Sequence, residues 1–348
     1  MNAGGVSRPV ASGRKGALWR PDRRQFLTAS ILLAGSSGCT PSPTRTLRAA
    51  EFHPEDYPTS RALLDMGRRL EGYSNGRMRL KLYPGGQLGS ERDTLELATF
   101  GGIDLNRVAL APLNSIEPLT IVPSLPFLFD DEAHMRRAMD GAPGEDVLKS
   151  LAPHGLIGLC FYDSGARSIY NVSGPVRRPE DLNGLKVRVQ SSDLYVSLIE
   201  ALGANATPMP LGEIYQALVQ GVIDGAENNW PSFESTRHYE VARYYSLTRH
   251  VIAPEVLVMS RTVWENLSSS DRDIILKSAR ESVSVMRGLW DEKVDQSRQT
   301  LAQSGVQVNE IDDIGAFVER VQPVWKRFVT SPAQRALVDA IRAMSTAA

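Results

Sequence analysis

The stretch that decides the fold is Leu211-Gly212-Glu213-Ile214-Tyr215-Gln216-Ala217-Leu218-Val219, followed by Gln220-Gly221-Val222-Ile223-Asp224-Gly225-Ala226-Glu227-Asn228-Asn229. It reads as an amphipathic helix, a glycine stop, a short aliphatic strand and an aspartate turn. The same phrase occurs earlier. Ser90-Glu91-Arg92-Asp93 opens a helix in capping-box fashion, the helix runs through Phe100, Gly101-Gly102 stops it, and Ile103-Asp104-Leu105 follows. Two occurrences so far apart are not a solenoid repeat. They are what two similarly built α/β lobes produce, and Asp104 and Asp224 are then turn formers.

Working outward, Thr59–Tyr73 is an amphipathic helix ended by Asn75-Gly76, and Met78, Leu80 and Leu82 alternate with Arg79 and Lys81 as a half-buried strand. Strands are predicted over 156–162, 186–190 and 251–259, with a helix over 192–202. Ser270-Asp271-Arg272-Asp273 starts a helical pattern that lasts to about Ser304. At 1.5 Å per residue such a helix is roughly 50 Å long, more than one small lobe, so it should lean across both. The strand at 251–259 can return the chain to the first lobe. The fold class expected is therefore α/β, a hinged two-lobe clamshell with interleaved lobes and a long C-terminal helix leaning across both, ligand held between them.

Of 348 residues, 42% are hydrophobic and 23% charged, which fits a folded soluble body with room for two lobes. The formal net charge is −1, but residues 1–38 hold six Lys/Arg and one acidic residue, leaving 33 basic against 39 acidic in the remainder. A mildly acidic body argues against a nucleic-acid partner. The two cysteines, Cys39 and Cys160, and the five histidines form no metal-ligand spacing, so neither a metal nor a cofactor is expected.

Asp22-Arg23-Arg24-Gln25-Phe26-Leu27, before the mild apolar run 28–35, reads as a twin-arginine export signal over 1–38. A basic tail that happens to hold two arginines is the alternative. Small residues before Cys39 raise lipidation of that cysteine as a second feature of the address. Residues 39–48, with Pro41 and Pro43, read as a linker. The expected localisation is the periplasm, with a lipid anchor at Cys39 as an open variant. Cys160 lies in a buried-strand pattern and reads as inert core.

Ligands of open α/β sheets sit at strand ends. In Lys186-Val187-Arg188-Val189-Gln190, Arg188 alternates with the valines and the strand ends two residues on, which offers a planar fork to a carboxylate. A surface arginine on an edge strand has the same spacing. Asp163-Ser164-Gly165-Ala166-Arg167 also follows a strand, and Arg167 suits either a second ligand cation or a surface ion pair. Asn228-Asn229-Trp230 puts amides beside an indole, as a hydroxylated ligand requires; a helix cap and a core tryptophan look alike. No GxSxG, P-loop or post-strand GxGxxG is present, and an enzyme is not expected.

From about Ala49 to Val329 the sequence resembles the extracytoplasmic receptors of tripartite ATP-independent periplasmic (TRAP) transporters. The resemblance is carried by Tyr83-Pro84-Gly85-Gly86-Gln87-Leu88-Gly89, Val122-Pro123-Ser124-Leu125-Pro126-Phe127, Lys186–Gln190 and Gln220–Asn228. It implies a periplasmic-binding-protein-like two-lobe clamshell with the long helix spanning both lobes. It also implies that Arg188 binds a substrate carboxylate bidentately, assisted by Arg167 and Asn228, and that the partners are a small carboxylate and the TRAP membrane permease subunits. His53-Pro54-Glu55-Asp56-Tyr57-Pro58-Thr59, Asn228–Ser232 and Ser235–Glu240 look like the branch that binds hexuronates such as glucuronate and galacturonate. His53, Glu91 and Asn229 are by the same likeness the candidates for sugar hydroxyls. Where that family often places an aromatic residue against the ligand, this chain has Leu211. The lobes implied are 49–164 with about 255–290, and 165–254 with about 291–345. Alternatives are a receptor for an aldonate, sialate or dicarboxylate, a partner of a sensor protein, and an exported sugar-acid enzyme.

Overall fold

The computed structural model describes residues 44–346. The export signal, Cys39 and most of the stretch read as a linker lie outside the described residues. Nine strands form one mixed sheet: β1 (Arg45–Ala50), β2 (Met78–Tyr83), β3 (Leu105–Ala109), β4 (Leu156–Asn171), β5 (Lys186–Val189), β6 (Asn205–Pro208), β7 (Gly225–Asn228), β8 (Tyr244–Ser260) and β9 (Gln307–Asn309). β1 begins inside the range 39–48 read as linker. Residues 45–48 are drawn into the sheet because they pair in parallel register with 78–81, which seats Leu47 in the core.

The strand order is β2-β1-β3-β8-β4-β7-β5-β6, with β9 against β8. Read from either edge it is the same motif: parallel β2-β1-β3 at one end and parallel β6-β5-β7 at the other. Two long strands, β8 and β4, run antiparallel between these halves and belong to both. Residues 255–259 of β8 pair with β3, whereas residues 168–171 of β4 pair with β7. The crossing between halves falls near Asp163–Ala166, where the β4–β8 register shifts. Gly165 there has a φ of 60°, and a Cβ on it would stand 2.9 Å from the Trp290 ring, so the turn needs glycine. The sequence pattern ends this strand at 162; the chain instead continues as one bulged strand to Asn171.

The repeated phrase is a repeat in hydrogen bonds as well. Asp104 accepts from the Arg48 backbone N–H at 2.8 Å, and Asp224 accepts from the Lys186 N–H at 2.8 Å, each with its own N–H donating back to the same residue's carbonyl. Both aspartates thus lock a parallel neighbour strand at its entry. The strands themselves start two and three residues later than the aliphatic patterns at Ile103 and Val222 suggest, at Leu105 and Gly225, because the residues before them form the turn.

The helix Ser269–Gln303 has 35 residues, about 50 Å at the standard rise. Ile275, Val283, Met286 and Trp290 pack with the helix Pro58–Tyr73 beside the first half of the sheet, whereas Leu301 packs with Phe233 and Tyr245 beside the second. The helix Ile314–Phe328 lies on the helix Asp193–Ala201, and Arg327 donates to Ser197 at 2.9 Å. The last helix, Pro332–Arg342, lies in the range 291–345 expected with the second lobe, and its hydrogen bonds reach residues in the range 49–164 expected as the first. Gln334 donates to the Pro118 carbonyl at 3.0 Å, and the Ile341 carbonyl meets His134 at 2.8 Å. Its apolar face, Leu337, Val338 and Ile341, can be buried only where the first lobe offers a matching surface.

Candidate functional site

The parallel strands of both halves aim their carboxyl ends at one cavity of about 690 Å³, the position where open α/β sheets bind ligands. β1 leads into Phe52 and His53, β5 delivers Arg188 and Gln190, and the helix Glu91–Thr99 brings Glu91 in its first turn. A narrower recess shares these residues and extends to Ser164, Arg167, Asn228 and Glu255.

Arg188 is 2% exposed. Its Nε donates to the Met209 carbonyl at 2.8 Å, which fixes the plane of the guanidinium. Among the described residues no carboxylate pairs with it and its terminal nitrogens meet no acceptor. Burial lowers its pKa, the mark of a charge stripped of water with no full compensation. The surface-arginine alternative is thereby ruled out.

Arg167 behaves differently. Nε reaches Glu227 Oε2 at 2.5 Å, Nη2 reaches Glu227 Oε1 and its carbonyl at 2.9 Å, and Nη1 reaches Asn228 Oδ1 at 2.9 Å. Four of the five guanidinium N–H groups are spent, so Arg167 brings field more than a free fork. Glu227 is held down to about pKa 2 by Arg167 against its own desolvation, with His250 alongside. Asn228 accepts from both Arg167 and the Asn229 N–H, leaving its Nδ2 to donate into the recess.

Asn229 departs from expectation. Its Oδ1 accepts from the Ser232 N–H at 2.7 Å, capping the helix Trp230–Ser235, and its Nδ2 holds the Ser164 carbonyl at 2.8 Å. Both ends of the amide are occupied, and neither cavity reaches it. Trp230 likewise turns away: its ring lies 4.4 Å from Tyr245 and beneath Arg298, so apolar cover for a ligand comes from Phe52, Met209 and Leu211.

His53 lines both spaces, stacked on Tyr57 at 3.6 Å between ring centroids. Burial, aided by Arg167, lowers it to about 3, so it is a neutral imidazole at ordinary pH. Tyr57 in turn bonds Ser232 at 3.0 Å across the two halves. Glu91 accepts from the Ala109 N–H at 2.8 Å, and desolvation lifts its carboxyl to about 7.

One part of the site was not foreseen in the sequence. Arg107, in the middle of β3, is fully buried between Glu51 at 2.7 Å and Glu255 at 2.5 Å, with Phe52 over its guanidinium at 4.0 Å. A lone arginine inside Leu105-Asn106-Arg107-Val108-Ala109 was the available signal, since a charge amid a buried strand demands partners.

Residues 49–331 match the description "bacterial extracellular solute-binding protein, family 7". The chain belongs to this family. A solute-binding protein of Chromohalobacter salexigens is 43% identical, covering 86% of this chain and 89% of its own. A TRAP periplasmic solute-binding protein from Bradyrhizobium sp. BTAi1, solved with α/β-D-galacturonate, superposes with a TM-score of 0.85 at 48% identity over 86% of this chain and 100% of its own. A second, from C. salexigens with bound D-glucuronate, gives 0.84 at 43% over 86% and 100%. The two-lobe clamshell is the fold of these solute-binding receptors. Among the described residues no helix is long and apolar enough to cross a membrane.

Proposed function

We propose that this solute-binding protein captures a hexuronate, glucuronate or galacturonate, in the interlobe cavity and delivers it to TRAP permease subunits. The observation that carries the reading is the contrast among three buried arginines. Arg107 and Arg167 have carboxylate partners, whereas Arg188 faces the cavity with its terminal nitrogens unmet. An unpaired buried cation calls for an anion, and a carboxylate matches the guanidinium fork. Asn228 Nδ2 assists it, Arg167 supplies field, and His53, Glu91 and Gln190 take hydroxyls. The hexuronate-bound relatives support this choice of cargo.

In this reading the cargo leaves chemically unchanged, as membership of a solute-binding family supports. We place one lobe at 49–164 with 255–290, and the other at 165–254 with the helices that follow, excepting 332–342. Export by the paired arginines Arg23-Arg24 is part of the same proposal, with a lipid anchor at Cys39 as its open variant.

The test is titration calorimetry with galacturonate and glucuronate on the exported protein, with galactose as the neutral control. Both acids should bind and galactose should not. Arg188→Ala should lose affinity by about 3–5 kcal/mol, the cost of breaking a buried pair. Binding of dicarboxylates alone overturns the cargo, and mass change of a recovered uronate overturns the receptor role.

A further inference from the structure

We propose that the first-lobe wall of this cavity excludes a second carboxylate: Glu91, backed by Glu255, admits sugar acids ionised at one end and rejects those ionised at both. The inference rests on the uronate reading above and narrows it to monoacids.

The pairing pattern leads there. Five glutamates (51, 91, 213, 227 and 255) and four arginines (92, 107, 167 and 188) line or back the cavity. Arg107 is shared by Glu51 and Glu255, Arg167 is taken by Glu227, and neither Arg188 nor Glu91 has an ionic partner among the described residues. One incoming carboxylate completes Arg188. After that no buried cation remains for a second. The other cation at the cavity, Arg92, is exposed at the rim and reaches toward Glu96.

Geometry sets which end meets which wall. Arg188 stands on β5 in the half built of β6-β5-β7, while Glu91 stands in the helix before β3, in the opposite half. A ligand anchored on Arg188 therefore points its far end at Glu91 and Glu255. A hydroxyl or ring acetal there donates to a carboxylate oxygen or is tolerated. A carboxylate there meets like charge with water excluded, which is the strongest form of rejection available to a site.

The groups facing Glu91 are Glu255 from β8, Arg188 from β5, Arg167 from β4 and His53 after β1, with Arg92 and Asp93 on its own helix. Glu91 is set to change charge near neutrality, at about 7, whereas His53 is already neutral there. Rejection should thus strengthen as pH rises.

Calorimetry of galacturonate, glucuronate, galactarate and glucarate at pH 6.0 and 8.5 tests this, since each ligand keeps its charge across that range. At pH 8.5 the diacids should bind the wild type roughly 100-fold or more weaker than the monoacids, on the scale of a buried like-charge clash. The gap should narrow at pH 6.0, and in Glu91→Gln it should be narrow at both. Diacids that match the monoacids in the wild type at pH 8.5 overturn the inference, as does a gap that persists unchanged in Glu91→Gln. The wild-type arms stand even if the variant folds poorly. Failure of the monoacids themselves to bind is a different result and overturns the uronate reading beneath it.

Discussion

At the scale of single residues, the site separates into side chains that line the cavity and side chains that hold those still. Glu227 is of the second kind. Glu227→Ala should destabilise the fold by about 3–5 kcal/mol because it leaves Arg167 buried without a counter-charge; a denaturant melt reads this without any ligand. Asn229→Ala removes a helix cap and should cost about 1 kcal/mol of stability. Uronate affinity should stay within a few fold, measured by calorimetry, because its amide is committed to Ser232 and Ser164. A loss as deep as that of Arg188→Ala would return Asn229 to the binding surface. Sequence pattern located Arg188, Asn228, His53 and Glu91 because strand ends and family-like motifs mark them. It could not foresee that Arg167 is spent on Glu227 or that Asn229 is spent on Ser232 and Ser164, because that depends on which neighbours their polar atoms face. Arg107 escaped notice because both its partners are remote, 56 residues back and 148 ahead.

At the scale of elements, the duplicated helix–turn–aspartate–strand unit is the architectural joint. Asp104 and Asp224 each fasten the neighbouring parallel strand through one backbone N–H. Asp224→Ala should cost about 1–3 kcal/mol, the penalty of losing an acceptor. Asp104→Ala should cost at least as much, since it also frees Arg48. Thermal melts of the pair check the parity; a variant that melts like wild type would show the turn to be redundant. These units were legible in the sequence because glycine and aspartate are local signals. The full length of β4 and β8 was not. Ser164, Gly165 and Ser168 look like loop, and only long-range pairing across a bulge keeps them in a strand.

For the whole molecule, buried ionisable groups make stability depend on pH in two opposed ways. His53 and His238, each lowered by burial to about 3, are neutral when folded but take up protons when unfolded below about 6.5. Their contribution is full above that value and lost as pH falls toward 3. Glu91, raised to about 7, does the reverse: its contribution is full below the ordinary carboxyl value near 4.3 and is lost as pH rises through 7. The melting temperature should therefore drop on acidification below about 6.5. Glu91→Gln should gain on wild type as pH climbs from 5 to 8, and a constant offset would show that this carboxyl does not titrate there. The two-lobe plan and the long helix were readable from periodicity. The reach of Pro332–Arg342 back to residues in the range 49–164 was not, because an amphipathic helix announces that it has a partner without saying which.

The two long strands shared by both halves also govern how this protein can be taken apart. Since each lobe is stitched from pieces lying on both sides of the other in the chain, no single cut yields a freestanding half. A nick in an exposed loop should leave a clipped molecule whose fragments travel together until denatured. Neither lobe should express as an isolated module. Any opening and closing would then be a flexing of unbroken strands and one continuous helix, with no sliding seam between separable bodies.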